Sequence, residues 1–316
     1  MKTSKMLGAR QATWFRRLYL LAVIVACGYL VFYGCRAAVT TWTNDAMCYW
    51  SAWDGGLYDR PWGIDPFAYV YSPAFAQIMW PITFLAFRAF LIGWTLLLVA
   101  GLAWLIGPIP TAVLLFIPHG VPVIYTAWFN VYSGNIAILL AAAIVLGMRR
   151  PGCWAFVLLT KVTPGIGLLW FALRREWAAL KEVAAVTAVI VAVSFVIAPQ
   201  LWFDWARLLA DNAGSPTLHP EMPPLLVRLP TAAALVALGA WRDWKWLVPV
   251  ASMVALPQVG ISSLIVLLAI PRLLPRIEPY IVAQWPEQLT WKGIQASLAE
   301  FGCRLPVAYG RLGRRP

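Results

Sequence analysis

The chain has 316 residues, of which 61% are apolar and 12% charged, with 25 Lys and Arg against 13 Asp and Glu and a formal net charge of +12. About one residue in four is charged in a soluble domain, so this composition excludes a water-soluble globular protein and points to a polytopic membrane protein. Backbone in lipid must pair internally, and the Lys and Arg fall in short clusters between apolar spans, so the fold class is all-α and no nucleic-acid partner is expected.

Lys2, Lys5, Arg10, Arg16 and Arg17 precede the apolar run Leu18 to Val39, which is long enough to cross a hydrocarbon core of about 30 Å. No small-residue cleavage site follows, so the run reads as a retained anchor with a cytoplasmic N-terminus. The next segment, residues 40–71, is then extracytoplasmic, and it gathers Asp45, Asp54, Asp59 and Asp65 against Arg60. Ala46, Tyr49, Trp50 and Trp53 recur at helical spacing and predict a short helix on the membrane, with Asp45 at its N-terminal end and Asp54-Gly55-Gly56 as its stop. Asp45 reads either as a simple helix cap or as a general base, because the helix dipole favours its ionised form. Asp54, Asp59 and Asp65 read as turn residues.

A returning span is expected from Ser72 to Phe87, with Ser72 as N-cap and Pro73 at the first helical position. Arg88 marks a cytoplasmic turn, and Ala89 to Ile106 crosses outward again. Pro108, Pro110, Pro118, Gly120 and Pro122 break the following stretch into two half-helices or a re-entrant pair, before an apolar run from Asn135 to Gly147 that ends at Arg149-Arg150. Gly152 to Leu173 is flanked by Arg149-Arg150 and Arg174-Arg175, which predicts a short hairpin bent at Lys161 to Pro164. Ala178 to Ala198 leads out to a second loop, 199–224, in which Leu201, Trp202, Trp205, Leu208 and Leu209 describe an interfacial helix. Leu225 to Ala240 returns to Trp241-Arg242-Asp243-Trp244-Lys245, and Trp246 to Leu274 forms a last pair bent at Pro257 to Gly260. The reading is about ten to twelve membrane helices, several too short to span alone. They form one domain over residues 1–275, followed by a basic cytoplasmic tail, 276–316.

Lys161 stands in an otherwise uncharged run and Arg228 lies one turn into its span. Each is a candidate phosphate ligand, and each has a plain alternative as a residue snorkelling to the headgroups. His119 and His219 fall at the outer boundary. Cys27, Cys35, Cys48, Cys153 and Cys303 lack CxxC spacing, and no HExxH or DxD motif occurs, so neither a metal nor a cofactor is expected.

The chain resembles glycosyltransferase family 87, the GT-C-type membrane enzymes that use polyprenyl-phosphate sugars, on motifs running in order from Asp45 to Pro271. They are Asp45 with Tyr49, Gly56-Leu57-Tyr58, Phe67 to Pro73, Gly134-Asn135, Leu159 to Pro164, Arg174 to Trp177, Asn212 with Ser215, Leu226 to Leu229, and Leu256-Pro257. Gly134-Asn135 departs from the family's usual Gly-Gln. The resemblance implies an inverting transfer of a hexose, mannose foremost, from a polyprenyl-phosphate donor to a glycan or glycolipid acceptor on the outer face of the cell membrane. Asp45 would be the general base, Lys161 and Arg228 the phosphate ligands, and Tyr49, Tyr69, Tyr71, Asn135, His119 and His219 the substrate contacts. Two other readings remain at this level: a transporter or flippase of a lipid-linked sugar, suggested by the discontinuous helices, and a non-catalytic assembly protein in which Asp45, Lys161 and Arg228 are replaceable.

Overall fold

The computed structural model describes residues 45–61, 65, 67–116, 122–212 and 223–285. The anchor expected over Leu18 to Val39, most of the tail, His119, His219, Ser215, Cys27, Cys35 and Cys303 lie outside the described residues.

The chain is an all-α polytopic membrane protein, with no strand among the described residues. In chain order the helices are α1 (Asp45–Trp50), α2 (Pro73–Thr83), α3 (Phe87–Ile106), α4 (Pro108–Phe116), α5 (Pro122–Ser133), α6 (Ala137–Gly147), α7 (Trp154–Thr160), α8 (Leu169–Leu173), α9 (Trp177–Ile197), α10 (Pro199–Asp211), α11 (Leu225–Arg242), α12 (Leu247–Val254), α13 (Ile270–Leu273) and α14 (Glu278–Val282). Short 3-10 turns precede α7 and α8, and a longer one, Ile261–Ala269, leads into α13. Among the described residues three helices, α3, α9 and α11, are long and apolar enough to cross a membrane. A fourth crossing arises if α5 and α6, bent by 110° at Gly134-Asn135, count as one broken span. Val189, Val193, Val196 and Ile197 of α9 are all more than half exposed, as expected of a helix solvated by lipid rather than by protein.

The breaks fall where proline and glycine put them. Ser72 caps α2 by accepting a hydrogen bond from the Phe75 N–H, with Pro73 in the first turn. The expected crossing from Ser72 to Phe87 is not made, because α2 ends after 11 residues, about 16 Å of helix. Pro81, inside the helix, lacks the N–H that would pair with the Gln77 carbonyl, and at the helix end the Thr83 hydroxyl donates to the Trp80 carbonyl at 2.7 Å.

That short helix changes the direction of the next one. The Trp50 indole of α1 donates to the Leu85 carbonyl, Phe87 packs on Trp50, and Trp94 packs on Tyr49 of α1. At the other end of α3, the Trp104 carbonyl accepts from Arg272. Arg88 therefore sits on the α1 side, and α3 runs away from α1, opposite to the direction that a turn at Arg88 predicts. A single arginine is too weak a marker to override where the preceding helix ends.

The far side of the body is basic. Arg149, at the end of α6, pairs with Glu278 of α14, and Arg174, after α8, pairs with Glu176 at 2.9 Å and with Asp243, after α11, at 3.0 Å. Arg150, Arg175, Arg242, Lys245 and Arg276 belong to the same turns. The hairpin bent at Lys161 has its two ends in this basic layer; its first arm packs on α2, with Phe156 on Phe75 and the Leu159 carbonyl accepting from the Ser72 N–H, and its tip brings Lys161 within electrostatic reach of Asp45. Trp154 and Trp170, one on each arm, are 0% and 2% exposed and anchor the hairpin in the core.

Candidate active site

Helix α1 is short but deeply set: Ala46 and Tyr49 are both fully buried. One oxygen of the Asp45 carboxylate accepts a 2.9 Å hydrogen bond from Asn135 Nδ2. Asn135 Oδ1 in turn accepts from the Ala137 N–H at 2.9 Å, in the first turn of α6. An amide side chain has one acceptor and one donor end. With the acceptor end held by a backbone N–H, the donor end is fixed towards Asp45.

Three further contacts hold the loop carrying Asn135, two against α1 and one against α3. Gly134 has φ +75°, and a Cβ built there would lie 2.5 Å from the Ala46 Cβ, so only glycine permits both the backbone turn and the close approach. The Gly134 carbonyl accepts from the Trp94 indole at 2.7 Å. The Tyr49 hydroxyl accepts from the Ile136 N–H at 3.3 Å and lies 3.2 Å from the Tyr71 hydroxyl. Asp45 and Tyr49 are one helical turn apart and therefore share a face. Together they grip consecutive residues of the α5–α6 bend.

Gly134→Ala is accordingly expected to lower activity at least tenfold by forcing α1 off this loop, whereas Gly93→Ala, with nothing within 4 Å of the new methyl group, leaves the rate unchanged. Rates measured side by side on protein of equal monodispersity check this. A loss common to both variants would mean that helix composition, not the Ala46 contact, is responsible.

Lys161, in extended conformation just past α7, is the cation whose charge acts on Asp45. Asp45, Asn135 and Lys161 each keep part of their surface open. Burial pushes the Asp45 carboxyl above the usual carboxylate range, against the opposing pull of the Asn135 hydrogen bond, the Lys161 charge and Ser133. A carboxylate accepts a proton only when ionised, so a reaction that uses Asp45 as its base rises with pH through a value above that of an exposed aspartate. Asn135→Leu removes the largest opposing effect and moves this rising limb to higher pH. A pH series of kcat/KM for both proteins reads it, and coincident limbs would show that Asn135 does not set the carboxylate.

The other sequence candidates have different surroundings. Arg228 is 5% exposed. Its Nε donates to the Pro223 carbonyl, Nη1 to those of Val254 and Leu256, and Nη2 to that of Pro257, at 2.7 to 3.1 Å. The guanidinium thus ties the start of α11 to the open C-terminal carbonyls of α12 and the bend after it. Arg228→Met is expected to cost about 3 kcal/mol by leaving those acceptors unpaired, seen as a lower temperature of inactivation. An unchanged inactivation temperature with a lost rate would instead support the phosphate-ligand role.

Tyr69 and Tyr71 are 2% and 7% exposed and lie with Tyr49, Tyr58 and Phe75 in one aromatic cluster. Tyr58 donates to the Tyr71 carbonyl at 2.8 Å, and Tyr69 to that of Ser72. These rings support α1 from beneath. His119 and His219 lie outside the described residues. Sequence reasoning passed over Trp94 and the Ile136 N–H; their partners are 40 and 87 residues away, and no local pattern announces them. Among the described residues no group of three or more His, Cys, Asp and Glu is placed to hold a metal.

The arrangement is a carboxylate with one oxygen fixed, lone pairs remaining for an incoming hydroxyl, and a cation close by. The profile of glycosyltransferase family 87 matches residues 69–280, the greater part of the chain, and the chain belongs to that family. No curated protein and no solved structure gave a significant match. The matched interval contains Asn135 and Lys161; Asp45 and Tyr49 precede it and are joined to it through Asn135 and Ile136.

Proposed function

We propose that this member of glycosyltransferase family 87, a membrane glycosyltransferase, moves a hexose, mannose foremost, from a polyprenyl-phosphate carrier to a hydroxyl of a glycan or glycolipid acceptor. The observation that carries the reading is the meeting of Asp45, Asn135 and Lys161 from three separate segments at one partly open place. Asp45 takes the proton from the acceptor hydroxyl as its oxygen attacks the anomeric carbon. The bond from that carbon to the phosphate oxygen breaks, and its electron pair leaves with the carrier phosphate. Attack and departure on opposite faces invert the anomeric centre, and no second carboxylate is needed because no sugar is bonded to the protein. Lys161 faces the negative charge that grows on the departing phosphate.

Positive residues favour the cytoplasmic side. With Arg149, Arg174 and their neighbours inside, the Asp45 side faces outward, and a lipid-borne donor supplies activated sugar where soluble nucleotide sugars are not made. The domain is read as residues 1–275, with both termini cytoplasmic. Purified protein in lipid nanodiscs, offered radiolabelled polyprenyl-phosphate mannose and a mixed glycolipid pool, is expected to label the glycolipid. Labelling from a nucleotide sugar alone, with none from the lipid-linked donor, would overturn the donor assignment.

A further inference from the structure

At the basic side, well away from Asp45, a cleft of about 630 Å³ opens between the turn joining α11 to α12 and the turn following α13. That volume falls within the about 300–1,000 Å³ of small-ligand sites. Its two walls each supply an exposed cation, Lys245 from the first turn and Arg276 from the second. Neither forms an ion pair among the described residues. The carboxylate lining the cleft, Asp243, is taken by Arg174 at 3.0 Å, and the neighbouring Glu278 is taken by Arg149. The nearby acids are thus neutralised by other arginines, and the two cleft cations are left facing a common space.

The apolar part of the lining has the matching character. Leu273, Leu274 and Ile277 line the cleft beside the cations. Trp244 and Trp246 are stacked with ring centroids 5.9 Å apart, and the Arg242 guanidinium lies 5.7 Å from the Trp244 ring. Tryptophan beside Lys and Arg is the composition of a membrane–water boundary, where an indole sits at the level of the headgroups and a cation meets phosphate. From these observations we propose that the cleft binds the phosphate headgroup of an anionic membrane phospholipid, with Lys245 and Arg276 on the phosphate and the chains along the apolar lining. The chain's own C-terminal segment does not suit the place. Residues 286–316 carry Lys292, Arg304, Arg311, Arg314 and Arg315 against Glu287 and Glu300, five positive and two negative, and would repel the same cations.

Native mass spectrometry of the full chain, released from detergent with phosphatidylglycerol or with phosphatidylcholine of identical chains, tests this site. Wild type is expected to retain phosphatidylglycerol preferentially. Lys245→Gln with Arg276→Gln should cut that retention at least fivefold, while the charge-keeping pair Lys245→Arg with Arg276→Lys preserves it. Arg88→Gln with Arg207→Gln removes two exposed cations elsewhere and should leave retention unchanged. Equal retention of both lipids by wild type, an equal loss in the Arg88 and Arg207 control, or displacement of the lipid by glycerol phosphate at the same concentration would overturn the proposal. Should the double Gln variant fail to fold, Lys245→Gln alone is expected to lower retention at least twofold, and no change there counts against the site.

Discussion

Asp45→Asn is expected to lower the rate of sugar transfer by about 10²- to 10⁴-fold, the usual contribution of a positioned general base. The substitution is nearly isosteric, and the new amide can turn its oxygen to the Asn135 donor, so the grip between α1 and the α5–α6 bend survives. What is lost is the proton acceptor. Two readouts separate this from a structural defect. The Michaelis constants for donor and acceptor should change little, since the surrounding contacts persist. The rising limb of the pH profile should also vanish, because the group that produced it no longer titrates. A variant within tenfold of wild type, with the limb intact, would mean that another group takes the proton and that Asp45 is only the first residue of a short helix.

Lys161→Met is the second large effect, with kcat expected to fall by about 10²- to 10³-fold, comparable to removing one preorganised donor from a developing negative charge. Methionine keeps most of the apolar stem, so packing at the hairpin tip is largely retained. The same geometry gives a second signature. Lys161 opposes the upward pull of burial on the Asp45 carboxyl. Its removal should therefore shift whatever rising limb remains to higher pH, whereas loss of a phosphate contact alone would leave the limb where it was. Lys161→Arg should recover part of kcat, limited by the larger, planar head. Set beside Arg228→Met, the pair distinguishes two kinds of cation: one expected to alter rate with modest change in inactivation temperature, the other the reverse. A normal kcat in Lys161→Met would place the phosphate ligand elsewhere.

The surroundings of these two cations could not be read from the sequence. Both lie near apolar spans, and both read equally as phosphate ligands. The difference is that Arg228 has the start of one helix and the carbonyl end of another within its reach, with partners up to 29 residues away. Lys161 has a carboxylate whose segment starts more than a hundred positions earlier in the chain. Spacing along a chain carries no record of which helix end will face which side chain. The same holds for Tyr49: its helical spacing after Asp45 was visible, but its hydroxyl finds the Ile136 N–H only once α1 is laid on the α5–α6 bend.

The sequence by itself determined the helical class, through the need of backbone in lipid to pair internally, and it determined those breaks that proline makes at a helix start. Pro73, Pro108, Pro122 and Pro164 act on their own turn of backbone by lacking an N–H, and such effects are local, whereas the end of α2 inside the crossing expected from Ser72 to Phe87 and the close approach of Gly134 to Ala46 came only with the folded chain. It also brought Asp45 forward, as the carboxylate at the N-terminal end of a helix-spaced stretch in the acidic outer loop and as the base that the family resemblance implies. Tertiary structure decided that Asn135 would hold that carboxylate, that α3 would start on the α1 side instead of at a turn opposite it, and that the three tyrosines would support the site from within an aromatic cluster. Each of these depends on burial and hydrogen bonding between segments tens of residues apart. The free energy of those contacts belongs to the packed helices jointly, so no single stretch of the chain displays it.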